Sequence, residues 1–256
     1  MYNSYVGGSY VTASPLELAV RNYTVTASRE NRIERVYRTT NFYATNATKL
    51  PENGDATSND AVHDARVYHL QPTDFLTGVA TKTVTNAEEV MPLVQEAFTA
   101  TTSLAFPKDI AVHLCTPVQL AQHFGPGYDE SIQGFCRNRH GRGVSEIFVK
   151  RGPLAEVMLT LGHEIGHALT HTLNDARDEE AKAFAFSLAW METICEQNIG
   201  GLRVAIAPNP AHNGLHNVAF NFVAELARQG QHAMRTFLEL GKGLLSITKQ
   251  LEQINR

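Results

Sequence analysis

The sequence predicts an α+β protein in which a small β-sheet packs on a helix that carries paired histidines, with further helices at the C-terminal end. Three short strand-like segments rich in Val, Ile and Phe come first, at 109–115, 131–136 and 144–149. The helix follows, marked by apolar residues that recur at spacings of three and four between Leu154 and Leu169. Amphipathic patterns beyond it predict the remaining helices.

The chain divides into three unequal parts. Residues 1–85 are predicted to be an N-terminal extension with a polar loop at 41–61, which is rich in Asn, Thr, Ala, Asp and Gly. Residues 86–200 are predicted to form the core, and residues 201–256 a helical C-terminal segment.

The helices of the core have recognisable starts. A first helix is predicted over 87–99 with Asn86 as its N-cap. A short helix is predicted after the strand at 109–115, because Thr116 offers an N-cap and Pro117 suits the first helical position. Two more strands and the histidine-bearing helix complete the order.

That helix contains the motif His163-Glu164-Ile165-Gly166-His167, an H-E-x-x-H sequence. Two histidines four residues apart lie on one face of a helix, one turn from each other. Both imidazoles can therefore reach one Zn²⁺ at about 2.0–2.1 Å. Glu164 is placed to take a proton from a metal-bound water. Gly166 predicts the close approach of another backbone.

A catalytic zinc site needs a third protein ligand and an open fourth position. His171 is excluded, because on a straight helix it lies about 12 Å along the axis from His163. Thr170 and Leu173 stand where a metzincin motif needs Gly and His, which excludes that class.

The third ligand is expected from a second helix, which follows the turn at 173–177. Glu180 begins the apolar stripe of this helix, four residues before Phe184. A carboxylate on a buried face is costly without a partner, and a metal is a sufficient partner. Glu180 is therefore favoured, with Glu192 as the alternative ligand or as a group behind the ligands. Glu179 points elsewhere and is expected to be solvated.

The H-E-x-x-H motif followed by Glu180-Ala181-Lys182-Ala183-Phe184-Ala185 resembles the gluzincin metallopeptidases, especially the minigluzincins and the ImmA/IrrE-like peptidases. The resemblance rests on residues 163–185. It implies a zincin-like fold, one Zn²⁺ held by His163, His167 and Glu180, and Glu164 as general base. It also implies a zinc metalloendopeptidase that hydrolyses a peptide or protein substrate.

Two further features of the family bear on this site. Many gluzincins place an Asp four residues after the ligand Glu, where it orients a ligand histidine, and this chain has Phe184 there. Support for the histidines is therefore expected from Asp175, Asp178 or a backbone carbonyl. Many gluzincins also stabilise the oxyanion with a later His or Tyr, which favours His216, with His212 as the weaker alternative.

The resemblance also suggests where substrate binds and how activity is controlled. In zincins the edge strand beside the cleft pairs with an extended peptide. The strand at 144–149 is assigned this role, with an ordinary internal strand as the alternative. Some minigluzincins carry a terminal segment that lies in the cleft and keeps the enzyme latent, and the tail 242–256 with Glu252 is the candidate here.

Composition limits the other functions. A chain of 256 residues with 43% hydrophobic content can bury a substantial core. Its net charge of −4 and lack of a basic stripe predict no nucleic-acid partner. No apolar run approaches the length of a membrane span, and the N-terminus lacks the pattern of a secretory signal. Three cysteines without C-x-x-C spacing predict free thiols and a cytoplasmic location.

A second interpretation remains from a different class. The fold could serve as a non-catalytic or latent module, such as a regulator, sensor or assembly component, with a structural zinc. A fourth protein ligand would favour this module, whereas an open fourth position would favour the peptidase.

Overall fold

The computed structural model describes residues 70–208 and 218–249. The polar loop at 41–61, the histidines His212 and His216 and the tail residue Glu252 lie outside these ranges. The described chain mixes helices with small sheets, which is compatible with the predicted α+β class. In chain order its elements are β1 (Thr83–Val84), α1 (Ala87–Thr102), β2 (Ile110–Cys115), α2 (Pro117–Phe124), β3 (Gly134–Arg137), β4 (Ser145–Lys150), β5 (Gly152–Pro153), α3 (Leu154–Ala168), α4 (Ala176–Gln197), α5 (Val218–Arg228) and α6 (Ala233–Gly241), with 3₁₀ turns at Pro72–Phe75 and Ile199–Val204.

The predicted helix starts are confirmed by their caps. The Asn86 side chain accepts a hydrogen bond from the backbone N–H of Glu89 at the start of α1. Thr116 and Gln119 exchange reciprocal side-chain-to-backbone bonds at the start of α2, which is a capping box. These local bonds satisfy backbone donors that the first helical turn leaves unpaired.

The main sheet has the strand order β2-β4-β3, with β4 parallel to β2 and antiparallel to β3. The assignment of the 144–149 segment as the substrate-binding edge is therefore wrong, because β4 is the central strand and is paired on both sides. Its apolar run Ile147-Phe148-Val149 is fully buried, as expected of a strand covered on both faces. Among the described residues, β3 is an edge strand on the side of α3.

Strand β3 also begins later than the pattern predicted. The segment 131–136 was expected to be extended, but its start belongs to a turn in which Ile132 N–H donates to the carbonyl of Asp129. The Asp129 carboxylate accepts bonds from the backbone and hydroxyl of Ser131, which favours this turn over a strand.

Helices α3 and α4 pack closely because two glycines of α3 face α4. A Cβ atom on Gly166 would lie 2.9 Å from the Cα of Ala183, and one on Gly162 would lie 2.5 Å from the Trp190 ring. The close approach predicted at Gly166 is thus confirmed. It brings the last turns of α3 against the first turns of α4, where the histidines and Glu180 lie.

The described flanks share one hydrophobic core with the central helices. Phe75, from the part of the chain predicted to be an extension, packs edge-on against Phe220 of α5 at 5.2 Å between ring centroids. Phe237 of α6 packs against Phe186 of α4 at 5.3 Å. Helix α4 is therefore surrounded by apolar contacts. None of the described helices is both long and apolar enough to cross a membrane, and the three cysteines are free, as predicted.

Candidate metal site

His163 and His167 on α3 converge with Glu180 on α4. Nε2 of His163 lies 3.3 Å from Oε2 of Glu180, and Nε2 of His167 lies 3.7 Å from Oε1 of the same carboxylate. The two imidazole rings are 4.9 Å apart between centroids and nearly perpendicular. Within 70–208 and 218–249, this is the one group of His, Cys, Asp or Glu side chains with the spacing of a metal site.

The spacing fits a tetrahedral ion. At metal–ligand distances of about 2.0–2.1 Å, the ligand atoms of a tetrahedral site lie about 3.3–3.4 Å apart. The separation of 3.3 Å between His163 and Glu180 matches this value, and that of 3.7 Å between His167 and Glu180 is slightly longer, so small side-chain adjustments would complete the geometry. The cluster could therefore bind a metal ion. Its two nitrogens and one carboxylate suit zinc and several other divalent transition metals.

Glu179 is buried beside this cluster, and the expectation that it is solvated is wrong. Its exposed fraction is 8%, and its Oε1 lies 2.7 Å from Nδ1 of His167. Its Oε2 accepts bonds from the Lys182 ammonium and from the backbone N–H of Leu173, both at 2.8 Å. Burial alone would raise the pKa of Glu179, but the bond to His167 and the charge of Lys182 outweigh it and lower the pKa to about 2.

The ionised Glu179 determines which ring nitrogen of His167 carries the donated proton. A carboxylate can only accept a hydrogen bond, so Nδ1 of His167 carries the proton and donates it. In the neutral ring, which is the form that binds a metal, Nε2 carries the lone pair, and it is the nitrogen that faces Glu180. Glu179 thus holds the His167 ring, a role that the sequence led us to expect from Asp175, Asp178 or a backbone carbonyl.

Asp175 and Asp178 instead hold the C-terminal segment against the start of α4. Asp175 caps the helix by accepting from the N–H groups of Arg177 and Asp178, and its second oxygen accepts from the Thr248 hydroxyl at 2.8 Å. Asp178 accepts from the backbone N–H of Ile247 at 2.6 Å. These bonds fix the helical turn from which Glu179 and Glu180 project.

His163 has no carboxylate partner of the kind His167 has. Its exposed fraction is 2%, and its Nδ1 finds no hydrogen-bond partner among the described residues. The Phe184 ring packs against it at 4.8 Å and 65°, at the position where gluzincins carry an Asp. Packing against the Phe184 ring therefore holds the His163 side chain on this side.

Glu164 lies next to the cluster and is buried. Its exposed fraction is 7%. Burial raises the pKa of Glu164 to about 7, with His167 opposing the rise and the charge of Glu180 adding to it. Its side chain lines a small cleft together with Leu70, Ile132, Gln133, Gly134 and Thr160. The cleft therefore runs between Glu164 and the start of edge strand β3.

The remaining candidates fall outside the cluster. Glu192 is partly buried on α4 and does not join it, and burial raises the pKa of its carboxyl group. His171 is exposed and stacks on His140 at 5.6 Å, in line with its exclusion as a ligand. His216 and His212 lie outside the described residues, so their roles remain predictions.

Sequence reasoning missed Glu179, Lys182 and Asn138. The Asn138 amide donates to the carbonyls of His167 and Thr170 at the end of α3, both at 2.7 Å. A signal for the other two was present, because Glu179, Lys182 and Phe186 are spaced three and four apart on one helix face. A charged pair that is buried together keeps the helical periodicity of an apolar stripe.

Comparison with known proteins gives no separate assignment. No protein-family model matches the chain, and neither a curated protein nor a solved structure matches it. The side chains of the site are therefore the basis on which a function is assigned.

Proposed function

We propose that this protein is a zinc-dependent metallopeptidase of the gluzincin type. In this proposal His163, His167 and Glu180 hold the ion, and Glu164 is the general base. The observation that carries it is the convergence of three side chains with metal-ligand spacing beside a buried carboxylate that lines a cleft. Three protein ligands leave one position of a tetrahedral ion for water or substrate, which is the arrangement of catalytic zinc sites.

Each part of the site has a task in peptide hydrolysis. A bound zinc ion would polarise the scissile carbonyl and lower the pKa of an attacking water to about 7. Glu164 takes the proton from that water and passes it to the leaving amine. Burial raises the pKa of Glu164 in the metal-free protein, and a neighbouring cation would favour its ionised form, which accepts a proton.

The substrate is proposed to be an extended peptide that adds to β3. Among the described residues, β3 pairs only with β4, so its other edge can accept backbone hydrogen bonds. Gly134 at the start of β3 lines the same cleft as Glu164. A peptide paired along this edge would pass beside the general base, which supports β3 in the role first assigned to the neighbouring strand.

His216 is retained as the proposed oxyanion donor. It follows the ligands in sequence, as the corresponding residue does in gluzincins. A donor of this kind is worth about 2.7–4 kcal/mol in other oxyanion holes.

The test measures bound metal and peptide cleavage in the same preparations. Wild type and Glu164→Gln are purified, their metal content is determined, and both are incubated with a peptide library that is analysed by mass spectrometry. We expect one zinc per chain in both proteins and cleavage that falls by about 10²–10⁴-fold in the variant. Glu156→Gln, a partly buried carboxylate on the same helix, is the matched control and should cleave at the wild-type rate.

Two outcomes would contradict the proposal. Equal cleavage by Glu164→Gln would remove Glu164 from the mechanism. A zinc-bearing wild type that cleaves no library peptide and has a fourth protein ligand would favour the non-catalytic module with a structural zinc.

A further inference from the structure

Lys182 is a fully buried lysine at the edge of the candidate metal site. Its exposed fraction is 0%, and its ammonium group donates to Oε2 of Glu179 at 2.8 Å and to the carbonyl of His171 at 3.2 Å. Lysine is almost never fully buried without a partner, because removing its charge from water is costly. The burial of Lys182 therefore depends on these two acceptors.

The two acceptors of Lys182 belong to different parts of the site. Glu179 lies one turn before it on α4, whereas His171 lies just beyond the C-terminal end of α3. The ammonium group thus ties the carboxylate that contacts His167 to the chain that follows the histidine-bearing helix. The Asn138 amide holds the carbonyls of His167 and Thr170 in the same region.

Glu179 depends on this tie for its orientation. Its Oε1 contacts His167, and its Oε2 has two donors, the Lys182 ammonium and the backbone N–H of Leu173. Without Lys182, the second oxygen would keep one neutral donor from a loop. The terminal torsion of a glutamate is broad, so a carboxylate whose second oxygen keeps only this neutral donor is held less firmly in its orientation.

The charge of Lys182 by itself would have the opposite effect on metal binding. A divalent cation in the cluster would face three carboxylates, Glu164, Glu179 and Glu180, and one ammonium group. If Lys182 acted only through its charge, it would repel the ion, and its removal would tighten metal binding. If it acts by holding Glu179, its removal would weaken metal binding. The sign of the effect separates the two.

We propose that Lys182 is a positioning residue for the metal site, whose buried ammonium group fixes Glu179 in the orientation that directs His167 towards the ion. The inference rests on the proposed metal site and goes beyond it, because it assigns the affinity of that site partly to a cation that does not touch the ion. Partners behind the ligands typically change metal affinity by about 10–100-fold.

The test compares zinc affinities by competition with a chromophoric chelator in a double-mutant cycle. The proteins are wild type, Lys182→Met, Glu179→Gln and the double variant, because methionine keeps most of the length of lysine without its charge. We expect Lys182→Met to bind zinc about tenfold more weakly than wild type. In the Glu179→Gln background the same substitution should produce no further weakening, because the group it positions is already changed. Lys108→Met, at an exposed lysine, is the control and should bind as wild type does.

The cycle has clear contrary results. Zinc binding by Lys182→Met that equals or exceeds that of wild type would overturn the inference in favour of a charge effect. Equal weakening in both backgrounds would overturn it as well, because the effect would not pass through Glu179. If wild type itself binds no zinc, the proposed function fails, which is distinguishable from a failure confined to Lys182.

A measurement on wild type covers the case in which Lys182→Met does not fold. In ¹⁵N-lysine-labelled protein, the buried ammonium group should give a signal protected from exchange with water. That signal should shift when zinc is added, because the ion acts on Glu179 through His167. An ammonium signal that is identical in metal-free and zinc-loaded protein would contradict the inference.

Discussion

Glu164 and Glu179 flank the same candidate metal site and are buried to nearly the same extent, yet their pKa values are shifted in opposite directions. The pKa of Glu164 is raised to about 7, whereas that of Glu179 is lowered to about 2. Glu179 accepts three hydrogen bonds, one of them from a buried ammonium group, and Glu164 lines a cleft. The difference shows that the donors around a carboxylate decide its charge, because burial acts on both in the same sense.

The two histidines of the candidate metal site differ in a similar way. His167 is held through its Nδ1 by the ionised Glu179, and His163 is held by the ring of Phe184. One side of the site is thus fixed by charge and the other by packing. In the proposed site, the carboxylate with three donors orients a metal ligand, and the carboxylate that lines the cleft is the proposed general base.

The largest expected effect comes from removing the Phe184 ring, which packs against His163. Phe184→Ala should lower the free energy of unfolding of the metal-free protein by about 3–5 kcal/mol, because the ring is fully buried in the core. Among folded molecules its zinc affinity should fall by only a few-fold, since no polar partner of a ligand is lost. Chemical denaturation and chelator competition measure the two quantities. A loss of zinc affinity larger than that of Glu179→Gln would contradict the division.

A second effect concerns the cost of charging Glu164. In the metal-free protein its pKa in the folded state is about 7, above the ordinary value of 4.5. The folded state therefore holds its proton more tightly, and Glu164 removes stability as pH rises from 4.5 through 7. Glu164→Gln should be more stable than wild type at pH 8 by up to about 3 kcal/mol, with the gain vanishing near pH 4.5. Urea unfolding at several pH values measures this gain, and a gain independent of pH would contradict the raised pKa.

The smallest of these effects comes from changing Glu179, the carboxylate that contacts His167. Glu179→Gln should weaken zinc binding by about 10–100-fold, which corresponds to about 1.4–2.7 kcal/mol. Glutamine keeps the length of the side chain but accepts less strongly from His167. Glu164→Gln is the matched comparison and should keep its zinc affinity within a few-fold. If the two variants weaken zinc binding equally, the result would contradict the claim that Glu179 orients His167 for metal binding.

The parts of this site that sequence predicted are those that depend on local spacing. Two histidines four apart must share a helix face, and Glu180 on an apolar stripe implied a buried partner. The position of β4 in the sheet was not determined in this way, because strand order depends on pairing between distant segments. Its unbroken apolar run was a usable sign of a central strand.

The second carboxylate was missed for a different reason. Glu179 was expected to be solvated because charged residues usually are, and no role was predicted for Lys182. Their spacing places both on the face that contains Phe186, and that face packs inward. Each charge makes the burial of the other tolerable, so the pair has to be interpreted together.

The central claim is tested most directly by zinc-edge X-ray absorption on the zinc-loaded protein, paired with its crystal structure. We expect two imidazole nitrogens at about 2.0–2.1 Å and a carboxylate oxygen at about 2.0–2.2 Å. These ligands should be His163, His167 and Glu180, and non-protein oxygen should complete the shell. A fourth protein ligand, or an ion bound away from these three side chains, would contradict the account.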